Sequence, residues 1–97
     1  MAYIFAFNQQ TGSGGGGGLT INGFDNYVST KTAPFAAGFT IPLPHTPVDP
    51  QSVQLDYNGQ VKVYGDDFTI SGNLVTINFG EIYTYENDMI FQFYYAY

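Results

Sequence analysis

Three sets of side chains in this sequence are of types that do chemistry in other settings. They are Asp56, Asp66 and Asp67; Glu81, Glu86 and Asp88; and the single histidine, His45. The first set offers the hard oxygen ligands that suit Ca²⁺. No further ligand falls at a recognisable loop spacing, and Asp is the ordinary turn residue because its carboxylate caps nearby backbone N–H groups. Turn chemistry is therefore the expectation. The second set would have to supply the two carboxylates of a glycosidase, held roughly 5–10 Å apart across a cleft. All three lie in one loop of a small chain, where solvated charge is the expected role. His45 sits among prolines (Pro44, Pro47), and no nucleophile motif surrounds it. It reads as a surface or interface histidine. The chain has no Cys, which excludes disulfides, thiol nucleophiles and zinc–thiolate sites. No catalytic residue, metal ligand or cofactor is expected, and the chain reads as non-enzymatic.

Recognition is better served than catalysis. Tyr83, Tyr85, Tyr94, Tyr95 and Tyr97 are candidates for a sugar-stacking platform or for burial in a core or between subunits. Tyr3, Phe5 and Phe7 would share one face of an N-terminal strand, with the same two readings. An apolar strand followed by glycines also suits docking on another protein's sheet edge. The run Gly14 to Gly18 is either a flexible tether or a close-packing site near an oligomer axis. A phosphate-cradling loop needs a Lys after the glycines and a helix behind them, and Leu19-Thr20-Ile21 supplies neither.

Composition narrows the partners. The chain has 97 residues, enough for one domain. Its two basic residues, Lys31 and Lys62, face eight acidic ones, for a net charge of −6. Without a basic cluster, nucleic-acid binding is not expected, and an anionic membrane surface would repel the chain. No apolar stretch approaches the ~20 residues of a membrane helix, and no basic, apolar secretory signal opens the chain. A mature cytoplasmic product, or one released from a cell by lysis, is the expectation. Nine Tyr and nine Phe exceed what one small core needs, so some rings are expected on the surface or against a partner chain.

The elements that must position these residues are short strands. Ser52–Tyr57 alternates, with Val53, Leu55 and Tyr57 inward. Asn58-Gly59 is the strongest short-range hairpin signal, and Gln60–Tyr64 is the return strand. Phe68–Ile70, Leu74–Phe79 and Met89–Tyr97 follow, with turns at Gly65-Asp66-Asp67 and Ser71-Gly72-Asn73 and a loop over Gly80–Asp88. Upstream, Gly38–Leu43 alternates but carries Pro42, so it is an edge strand. Pro44–Pro50 is a stiff connector. Leu19–Gly23 reads as a short strand, Tyr27–Thr30 as weakly strand-like, and Ala33-Pro34 as a break. No 3.6-residue period appears. The expected fold is all-β, an antiparallel β-sandwich or jelly-roll-like domain over residues 19–97, preceded by a strand and Gly-rich tether over 1–18.

Residues 48–97 resemble a repeating module of bacteriophage virion proteins found in tail fibres, head fibres and decoration proteins. The resemblance rests on Val53, Leu55, Asn58-Gly59, the run Asp66-Asp67-Phe68-Thr69-Ile70-Ser71-Gly72, Val75, Ile77, Phe79, and Asp88 before Ile90. It covers about half the chain and describes a scaffold. The family often has an Ala-Pro pair and a Gly-Asp before its last strand, where this chain reads Glu81-Ile82-Tyr83-Thr84-Tyr85-Glu86-Asn87-Asp88. The aromatic loop therefore has room for its own role. The resemblance implies a capsid decoration or head-fibre protein on the exterior of the virion. It also implies self-association as a homotrimer and contact with the major capsid protein or another virion protein. Tyr3, Phe5, Phe7, Gly14 and Gly18 are the candidates for docking. Tyr83, Tyr85, Tyr95 and Tyr97 are the candidates for subunit contact, or for a host-surface glycan if the chain is instead a carbohydrate-binding adhesion module.

Overall fold

The computed structural model of the chain describes residues 20–97. The expectations for the 1–18 tether, and for Tyr3, Phe5, Phe7, Gly14 and Gly18, lie outside the described residues. Seven strands are present among those described: β1 (Phe24–Lys31), β2 (Thr40–Pro42), β3 (Gln54–Tyr57), β4 (Gln60–Lys62), β5 (Phe68–Ser71), β6 (Leu74–Ile77) and β7 (Met89–Ala96). They form two antiparallel sheets, ordered β1-β7-β3-β4 and β2-β6-β5. The sheets pack face to face as a small β-sandwich.

Local chemistry explains most of the boundaries. Asn58 (φ 49°) and Gly59 (φ 87°) both take positive φ between β3 and β4, as a two-residue type I′ turn requires. β4 stops at Lys62, two residues short of the expected Tyr64, where the chain bends into a turn held by Asp67. The Val63 N–H donates to the Asp67 carboxylate at 2.8 Å, and the Asp67 N–H donates to the Val63 carbonyl at 2.8 Å. β2 is an edge strand closed by Pro42, which has no N–H to offer. Ahead of β3, Asp49 caps the short 3₁₀ turn Pro50–Ser52 by accepting the Gln51 N–H at 3.1 Å.

The N-terminal part differs from expectation in two ways. Residues 20–23 do not form a strand; Gly23 exchanges backbone bonds with Tyr97 in both directions, at 3.0 and 2.9 Å. β1, by contrast, is longer than its weak signal, running eight residues in unbroken register with β7 from Phe24↔Ala96 to Lys31↔Met89. Its inward positions are Asp25, Tyr27, Ser29 and Lys31, which share little apolar pattern. Pairing with the apolar central strand β7 imposes the conformation.

The core lies between the sheets. Phe68, Phe91, Phe93, Leu43, Leu55, Ile77 and Val75 are fully buried. Phe35, from the segment after Ala33-Pro34, enters this layer. It meets Phe39 at a ring-centroid distance of 5.1 Å, Phe91 at 5.8 Å and Tyr57 at 6.2 Å. Burying one such ring contributes about 1.5–3 kcal/mol. The core thus absorbs more of the aromatic surplus than composition suggests. Among the described aromatic residues, only Phe24, Tyr83 and Tyr85 are exposed.

Candidate functional site

The charged residues are largely committed to the fold. Glu81 opens the 80–88 loop, pinned by paired backbone bonds with Phe35, both 2.9 Å. Gly80 is required beside it, since a Cβ there would lie 2.9 Å from the Phe35 carbonyl oxygen. The Glu81 carboxylate then accepts two phenols: the Tyr57 hydroxyl on Oε1 at 2.9 Å and the Tyr85 hydroxyl on Oε2 at 3.1 Å. Burial, and then the bond to Glu81, pushes the Tyr57 hydroxyl well above the ordinary tyrosine range. Asp88 accepts the Thr32 hydroxyl at 2.8 Å, and Glu86 is exposed.

A second cluster forms where β1 meets the end of β7. The Tyr95 hydroxyl donates to Asp25 Oδ2 at 2.9 Å and accepts the backbone N–H of His45 at 3.2 Å. His45 Nδ1 lies 3.4 Å from the same carboxylate oxygen. The His45 ring stacks on Tyr97 with centroids 3.6 Å apart and planes 3° from parallel. Burial, then the bond to Asp25, raises the Tyr95 hydroxyl above its ordinary range. The ring face of His45 is covered and its backbone is tied, which describes packing chemistry. Asp67 caps its turn, and Asp56 accepts from the Gln54 amide at 3.3 Å. Among the described residues, no three His, Asp or Glu side chains gather to hold a metal ion.

Both lysines serve the core too. Lys31 on β1 places its ammonium 4.6 Å from the Phe39 ring centre, and Lys62 on β4 places its own 4.5 Å from that of Phe79. These are the two edge strands of the larger sheet, and each carries an inward-pointing charge, a device that discourages indiscriminate edge pairing.

The exposed features are apolar and aromatic. In the 80–88 loop, Ile82 is 78% exposed, Tyr83 63% and Tyr85 46%. Neither tyrosine ring has an aromatic partner among the described residues. Tyr95 and Tyr97, grouped with them at the outset, lie elsewhere. The loop precedes β7 and these two lie at its far end, so six strand residues, roughly 20 Å, separate the loop from Tyr95, and Tyr97 lies farther still. Tyr95 is buried and offers no ring face, and the face of Tyr97 is taken by His45. Tyr94 is half-buried on the outer face of the larger sheet, beside Asn26 and Gln54. Sequence reasoning missed the Glu81 and Asp25 clamps, since their partners are distant in the chain and no spacing signals them. No family model, curated protein or solved structure matches the chain.

Proposed function

We propose that this chain is a non-enzymatic virion structural protein, a capsid decoration or head-fibre protein that attaches through aromatic β surfaces. The observation that carries the proposal is the 80–88 loop. Its carboxylate Glu81 is spent on two tyrosine hydroxyls, and it presents Ile82, Tyr83 and Tyr85 to solvent. A loop whose base is anchored and whose tip is apolar suits contact with a protein surface. The resemblance of residues 48–97 to phage fibre and decoration modules supports the virion setting. The elements that carry it, the Asn58-Gly59 turn and the β5–β6 hairpin, are scaffold elements here. The partner would be the major capsid protein or another virion protein, reached on the particle exterior after synthesis in the host cytoplasm.

A second reading, a carbohydrate-binding adhesion module, is favoured by the exposed rings of Tyr83 and Tyr85. Density-gradient banding of phage particles from lysates in which the chain is made separates the two. Under the structural reading the chain bands with intact particles and resists displacement by free sugars. Under the adhesion reading it binds immobilised glycans, and Tyr83→Ala with Tyr85→Ala abolishes that binding. A chain found only in the soluble fraction contradicts attachment to the particle.

A further inference from the structure

We propose that the outer edge of β1 is a self-pairing site, where two copies of the chain join antiparallel about a two-fold axis through Val28. The inference concerns the purified chain alone and stands apart from the virion reading.

The ladder fixes which backbone groups are available. Gly23 and Tyr97 exchange both bonds, so in an antiparallel pair the alternate residues Asp25, Tyr27, Ser29 and Lys31 also turn theirs toward β7. Asn26, Val28 and Thr30 therefore aim N–H and C=O groups at the open side. Among the described residues no strand pairs there. The other sheet edges are poorer templates: β2 contains Pro42, β4 has three residues and β5 has four. β1 has eight, all paired with β7 and none of them proline.

Charge selects the partner and the register. β1 carries one acid and one base, Asp25 and Lys31, three residues either side of Val28. With Val28 on the axis, Asp25 faces Lys31 of the second copy in both halves. These are non-hydrogen-bonded pairs, whose side chains approach most closely. In the same register Val28 bonds Val28 of the second copy, and Asn26 bonds Thr30, which matches the parity of the open groups. Shifting the axis loses both ion pairs, and an in-register parallel pairing sets like charges side by side. The inward charges thus discourage other pairings and favour this one. Two-fold strand pairing is isologous and closes at two copies.

Hydrogen exchange of the full chain, read amide by amide by NMR alongside native mass by sedimentation equilibrium, tests the proposal. Expected are a mass of two chains and slow exchange at Asn26, Val28 and Thr30 as well as at Tyr27 and Ser29. Val28→Pro removes an N–H that has no partner within its own sheet. It should return the mass to one chain with the remaining strand amides still protected. Lys31→Glu should also dissociate the pair, because the new carboxylate would face Asp25 of the second copy. A trimer would overturn the proposal, as would a monomer with fast exchange at Asn26, Val28 and Thr30. A monomer protected at those amides would mean that the chain's own remaining segment occupies the edge, and would overturn it too.

Discussion

At the scale of single residues, the polar atoms of this domain work in pairs that join distant parts of the chain. Glu81 holds Tyr57 and Tyr85, and Asp25 holds Tyr95. Glu81→Ala leaves the Tyr57 hydroxyl, on a residue only 5% exposed, without its acceptor. The expected cost is about 1–3 kcal/mol, read as a lower denaturation midpoint with an unchanged slope. The same substitution frees Tyr85, so the loop amides after Glu81 should exchange faster than in the parent chain. The phenols also set an alkaline limit. Tyr57 and Tyr95 keep their protons above the usual value near 10, while the unfolded chain releases its own near that value. The folded state binds more protons in that range, so stability from these groups is complete below pH ~10 and falls as pH rises further. Phenolate absorbance of the two should appear together with loss of strand signal. Early, independent titration of all tyrosines would contradict their burial. None of these pairs was legible in the sequence, because Tyr57 and Glu81 are 24 positions apart and Asp25 and Tyr95 are 70.

At the scale of elements, legibility followed the strength of local signals. Asn58-Gly59 declared the β3–β4 hairpin because few other residue pairs accept positive φ twice in succession. Gly59→Ala should cost about 1–2 kcal/mol, the usual penalty for a side chain in the left-handed region, measurable by thermal or chemical unfolding. Strands β3, β6 and β7 showed themselves through alternation, since their inward residues are apolar and buried. β1 was nearly invisible because its inward residues are Asp25, Tyr27, Ser29 and Lys31, two of them charged. Those charges reflect its position at the sheet edge, where an inward side chain reaches a tyrosine hydroxyl or an aromatic face instead of the core centre. The early end of β4 was hidden because Val61 and Val63 continue the alternation into the turn that Asp67 holds.

At the scale of the molecule, the aromatic inventory divides between holding the sandwich together and facing outward. Phe35, Phe39, Tyr57, Phe79 and Phe91 form one connected group of rings between the sheets, with Lys31 and Lys62 over its margins. The sandwich class followed from short strands, frequent turns and the lack of a helical period. The allocation of rings did not, since a tyrosine in the core and one on a loop look alike in a list of residues. Among the described residues, the rings left outside are Phe24 and those at the tip of the 80–88 loop, and the proposed role depends on that tip. The most direct test is density-gradient banding of phage particles carrying either the parent chain or the triple variant Ile82→Ser, Tyr83→Ser, Tyr85→Ser. Amide-exchange protection of β3, β6 and β7 would show that the variant is folded. If the loop tip is the attachment surface, the parent chain bands with the particles and the folded variant is lost from them. A folded variant that stays on the particles, or a parent chain that never joins them, would contradict it.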